Sequence, residues 1–104
     1  MDNLEYLKQA SNAELLIAQG KYDHAESILT RLMTVEMNDF DILRMMTVVK
    51  ISLKKYKEAE DLCKIMISTF PDESFPFYLL ANVYSVDRKF NQSLELLDTA
   101  IRID

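Results

Sequence analysis

The run Lys21-Tyr22-Asp23-His24-Ala25-Glu26 returns 34 residues later as Lys55-Tyr56-Lys57-Glu58-Ala59-Glu60. It returns again after the same interval, in looser form, as Lys89-Phe90-Asn91-Gln92-Ser93-Leu94. A fixed period of this size constrains the fold to copies of one supersecondary unit, each burying its apolar face against the next. The register holds on both sides. Downstream, Leu29, Leu32 and Met33 correspond to Cys63, Met66 and Ile67, then to Leu97, Ala100 and Ile101. Upstream, Ala13 and Leu16 correspond to Thr47 and Lys50, then to Ala81 and Tyr84.

The unit is helical. Apolar residues recur at helical spacing in Ile28, Leu29, Leu32, in Leu62, Cys63, Met66, and in Leu94, Leu97, Ile101. One Gly and two Pro are too few for the tight turns of an all-β fold. Short polar turns, Gln19-Gly20-Lys21, Lys54-Lys55 and Asp87-Arg88-Lys89, separate paired helices. Pro71 disfavours helix at Phe70, and Asp72 or Ser74 is expected to cap the helix that follows. Six helices are expected at about 3–18, 22–36, 40–53, 56–69, 74–86 and 90–103. The small Ala25 and Ala59 let paired helices approach closely, with Tyr22 and Tyr56 filling the space beside them.

A 34-residue period with an aromatic followed three positions on by a small residue resembles the tetratricopeptide repeat. The third unit fits best, through Phe77, Leu80, Ala81, Tyr84, Phe90, Ser93, Leu97 and Ala100. The second supplies Leu43, Met46, Thr47, Tyr56, Ala59, Cys63, Met66 and Pro71, and the first Ala13, Leu16, Gly20, Tyr22, Ala25, Leu29 and Leu32. Gln9 and Asn12 depart from the pattern in unit one, so its first helix is expected to pack loosely; Lys50 replaces the aromatic of unit two. The resemblance implies an all-α fold of three tetratricopeptide hairpins stacked as a right-handed α-solenoid. It makes one domain of residues 1–104, with repeats at about 6–39, 40–73 and 74–104.

In this family the first helix of each pair lines the concave, partner-binding face. Carried onto this chain, the lining includes Leu7 and Ile17 in unit one. Unit two contributes Arg44, Met45, Val48 and Ile51, and unit three contributes Phe75, Tyr78, Leu79 and Asn82. The set is mostly apolar. The third helix is apolar on nearly every side, from Phe40 through Ile42, Leu43, Met45, Met46, Val48, Val49 and Ile51 to Leu53. Such a helix needs cover all round, more than its neighbours in a small stack are expected to give. Two readings stay open: a groove for an apolar helix or extended segment of a partner, or the ordinary core of a more compact domain. Some family modules clamp acidic tails of heat-shock chaperones with Lys, Asn and Arg. The corresponding positions here are Ala10, Glu14, Met45, Phe75 and Leu79, none of which binds a carboxylate by charge. At the other end, Leu94, Leu97, Ile101 and Ile103 are expected to leave an exposed apolar edge, for a partner or for self-association.

Other functions find little support. A net charge of −5 without a basic cluster disfavours nucleic acid. Cys63 stands alone, so neither an intramolecular disulfide nor a cysteine zinc site is expected; it reads as a small core residue. His24 has no triad geometry and reads as a solvated surface residue, and Gly20 alone cannot make a phosphate loop. No catalytic residue, metal or cofactor is expected, and no membrane span. The N-terminus lacks a signal-peptide pattern, which makes the cytoplasm the default location.

Size, acidity, three repeats and an apolar groove are similar to the small tetratricopeptide chaperones of bacterial type III secretion, above all the needle-subunit type. That resemblance implies a groove that wraps an apolar helix of a secreted needle or translocator subunit. It also implies a small helical co-chaperone. The alternative is a scaffold or adaptor segment of a stable multi-protein complex.

Overall fold

The computed structural model describes residues 1–104, which form six α-helices. They are α1 Asn3–Ala18, α2 Tyr22–Val35, α3 Phe40–Ser52, α4 Tyr56–Thr69, α5 Phe75–Val86 and α6 Phe90–Ile103. Each lies where its periodicity places it; α2 and α3 stop one residue earlier, and α5 starts one residue later, than expected. Asp2 caps α1 by accepting from the Glu5 N–H at 2.8 Å. Asp39 caps α3 by accepting from Asp41 at 3.0 Å. The cap expected from Asp72 or Ser74 is corrected. Ser74 precedes α5 but makes no side-chain cap, and its hydroxyl donates to Asp104 Oδ1 at 2.8 Å. Proline near the start of α5 reduces the number of free N–H groups that need a cap.

Helices pair as α1–α2, α3–α4 and α5–α6, and the pairs stack through α2–α3 and α4–α5. The first helices also touch, α1 on α3 and α3 on α5, whereas α2, α4 and α6 do not touch one another. First helices that meet and second helices that splay curve the stack, so α1, α3 and α5 form its inner face. The body is elongated, 43 × 26 × 19 Å.

The core runs along the stack and centres on α3, which contributes Ile42, Leu43, Met45, Met46, Thr47 and Val49. Neighbours on four sides leave only Asp41 and Ser52 exposed on this helix. The expectation that a small stack cannot cover it is therefore corrected: α1 and α5 cover the flanks that α2 and α4 do not reach. Thr47 is fully buried and returns its hydroxyl to the Leu43 carbonyl at 2.7 Å, so the polar atom adds no unpaired donor. Ala25 and Ala59 are fully buried at the close approaches. Ser93 replaces them in α6 and donates to the Ala81 carbonyl at 2.9 Å, tying α6 to α5. Cys63 is buried and its thiol is pushed up to about 12 by desolvation, which keeps it protonated and unreactive. α1 buries only Tyr6 and Ala13, and α6 likewise buries only two residues. The Tyr6 hydroxyl anchors α1, donating to the Asp39 carboxylate at 2.9 Å.

Each hairpin turn uses one left-handed residue at the same repeat position: Gly20 (φ 75°), Lys54 (φ 62°) and Arg88 (φ 59°). Only glycine adopts this conformation without steric penalty. Lys54→Gly and Arg88→Gly are each expected to raise stability by up to about 1 kcal/mol, read as a higher denaturant midpoint with unchanged slope.

The departure at Lys50 has a local compensation. Its ammonium lies 2.6 Å from Glu26 Oε2 on α2 and 3.3 Å from Glu58 Oε2 on α4, and Lys55 reaches Glu26 at 2.9 Å. One unit on, the residues at the same two register positions, Glu60 and Tyr84, line one pocket together. Burial opposes the Lys50 charge, but the Glu26 and Glu58 carboxylates outweigh it and hold the group above its ordinary pKa. Hydrogen bonds from Lys50, then Lys55, hold Glu26 below its ordinary pKa, and the Tyr84 hydroxyl, then Lys64, do the same for Glu60. A depressed carboxyl stabilises the fold above its unfolded pKa and ceases to do so as pH falls through the folded one. The melting temperature is thus expected to drop as pH falls below about 4.5, with a shallower drop in Glu26→Gln and Glu60→Gln.

Candidate functional site: the inner face of the stack

α1, α3 and α5 carry the residues expected to line the inner face. Side chains three, four or seven positions apart on a helix share one side, so each helix offers the face one narrow stripe. In α1 the stripe holds Leu7, 54% exposed, and half-buried Ile17. In α3 it holds Arg44, Val48 and Ile51, all half-buried. In α5 it holds Phe75, 39% exposed, half-buried Tyr78 and exposed Asn82. These eight positions are solvent-reached and predominantly apolar. Arg44 is the one cation among them, and its guanidinium lies 3.9 Å from Asp41 one turn away.

Met45 and Leu79 do not join them. They are 3% and 8% exposed and belong to the hydrophobic core, which corrects their expected place on the groove surface. Both occupy the same repeat position, on helices packed against other first helices as well as second helices. A helix covered on three or four sides has less free circumference than the family register assigns to it.

The face opens at its α5 end into a cleft of about 480 Å³ between α5 and α6. Tyr78, Asn82 and Ser85 form one wall, and Ala81, Ser93 and Leu97 the floor and far side. Leu97, expected at an exposed apolar edge, is half-buried against this cleft, whereas Leu29 and Cys63 at the same register are fully buried.

Neither a family model nor a curated protein sequence matches the chain. Solved structures do. MamA residues 41 to the end from Desulfovibrio magneticus RS-1 superposes with a TM-score of 0.85 at 20% identity, over 95% of this chain and 56% of that one. The chain has the tetratricopeptide fold. The second tetratricopeptide domain of Spaghetti (RPAP3), bound to the HSP90 peptide SRMEEVD, gives 0.86 at 18% identity, over 95% of this chain and 92% of that one. PcrH from Pseudomonas aeruginosa gives 0.94 at 14% identity, over 99% of this chain and 78% of that one. PcrH also matches in complex with the chaperone-binding region of PopB. The chain thus spans little more than half of the MamA structure and most of the other two. The eight solvent-reached positions named above are apolar except for Arg44 and Asn82. No helix of the chain is long and apolar enough to cross a membrane.

Proposed function

We propose that this tetratricopeptide domain binds an amphipathic helix or extended apolar segment of another polypeptide along its concave groove. The observation that carries the reading is the row of solvent-reached apolar side chains on first helices, from Leu7 and Ile17 through Val48 and Ile51 to Phe75 and Tyr78. A row of this kind survives on a folded surface at a cost in solubility and matches a segment with apolar residues every three or four positions. An acidic peptide such as the one on Spaghetti does not fit. Glu14 repels it, and Arg44 is the groove's only cation.

Within that reading, the chain acts as a cytoplasmic chaperone of type III secretion for a needle or translocator subunit, shielding its apolar helix before export. The fold shared with PcrH, solved with the chaperone-binding region of PopB, supports this class of partner over a constant scaffold. The test is co-expression with each needle and translocator subunit of the protein's own secretion system. A chaperone keeps one of them soluble in a stoichiometric complex. If every subunit aggregates with or without the chain, the chaperone role is wrong, and stable partners outside secretion would mark a scaffold.

A further inference from the structure

Of the twelve Lys and Arg side chains, only Lys50 and Arg44 are drawn in from solvent. Both stand on α3, six positions apart, which sets them about 120° apart around the helix axis. Their surroundings differ. Lys50 points to the second helices, where Glu26 of α2 and Glu58 of α4 hold its ammonium at 2.6 and 3.3 Å. Its charge is matched inside the chain.

Arg44 has no such match. Its nearest carboxylate is Asp41, and the Nε to Oδ1 distance of 3.9 Å is beyond hydrogen-bond reach. The Asp41 side chain is itself 77% exposed and turned to solvent. The Arg44 side chain is 32% exposed, so its guanidinium donors are left to water. Val48 and Ile51, one and two turns on, make its neighbourhood along α3 apolar.

α3 packs between α1 and α5. A segment that covers the apolar row from Leu7 on α1 to Tyr78 on α5 must cross α3 and cover Arg44 with it. That removes the water serving the guanidinium. A guanidinium keeps its charge on burial, and an apolar cover alone would leave that charge unpaired at a large cost. Backbone carbonyls carry no net charge, and those of a helix are already bonded within it. A carboxylate matches both the charge and the forked donors. A run of acids does not fit, because Glu14 on α1 and Asp41 on α3 repel the others. One acid among apolar residues does.

We propose that Arg44 sets the register of the bound segment by pairing with a single Asp or Glu side chain placed among that segment's apolar residues. The proposal rests on the groove reading above and names the polar determinant of the partner. The apolar row supplies the buried area, and Arg44 decides which segments can use it and where along the groove they stop.

Selection from a displayed library of random linear peptides against the full chain tests this. Peptides recovered on wild type are expected to share an apolar pattern with Asp or Glu at one fixed offset within it. Arg44→Glu is expected to recover the same apolar pattern with Lys or Arg at that offset. In the best wild-type peptide, replacing the acid by Gln is expected to weaken binding about tenfold or more to wild type, and not at all to Arg44→Met. Arg44→Met removes the charge and keeps an unbranched apolar stem, so its circular dichroism is expected to match wild type. It carries the test if Arg44→Glu fails to fold. Groove-bound peptides with no positional acid overturn the proposal, as does an equal effect of Gln on wild type and Arg44→Met. An empty selection, or peptides indifferent to Leu7→Asp and Phe75→Glu, overturns the groove reading itself and the role of Arg44 with it.

Discussion

Leu43→Ala is expected to destabilise the protein by about 3–4 kcal/mol, and Met45→Ala by about 2–4 kcal/mol. Both side chains come from α3, the helix that touches four others, and both are nearly inaccessible to solvent. Truncation there removes transfer energy and leaves a cavity that neighbours on every side cannot collapse to fill. A loss of this size is a large fraction of the 5–15 kcal/mol that holds a typical domain together. Leu94→Ala is the control: its side chain is more than half exposed, and its loss is expected to stay within about 0.5 kcal/mol at low protein concentration. Urea unfolding followed by circular dichroism measures all three. A Met45→Ala protein as stable as wild type would return Met45 to the groove surface and contradict its place in the core.

The second large effect concerns binding. Leu7→Asp and Phe75→Glu put charges at the two most exposed apolar positions of the concave face. Neither side chain is needed for the core, so thermal unfolding should change by no more than a degree or two. An unpaired carboxylate pressed against an apolar ligand costs roughly 2 kcal/mol or more, about thirtyfold in Kd at each site. The double variant is expected to bind its partner segment at least about a hundredfold more weakly. Isothermal titration with the subunit retained in co-expression gives the number. Unchanged affinity in the double variant would remove the groove as the binding surface.

Helical content, the six element positions and the pairing of helices into hairpins were legible in the residues. The reason is local. A 34-residue register, apolar residues at helical spacing and polar turns report how a helix meets its own partner and its chain neighbours. Even the left-handed turn residue is marked once, by Gly20; its register then points to Lys54 and Arg88, whose side chains give no hint of it. The compensation at Lys50 was not legible. Glu26 and Glu58 converge on it from different hairpins, and only packing brings them together.

The sequence by itself determined what each helix is and which helix it pairs with. The tertiary structure decided which apolar residues are core and which are surface. Met45, Val48 and Ile51 look alike in the third helix, yet the first is buried and the other two are reached by solvent. Leu29, Cys63 and Leu97 share one register, yet only Leu97 borders an open cleft. Periodicity records the direction in which a side chain points. Burial depends on what stands in that direction, and in a stack that is a helix from another unit.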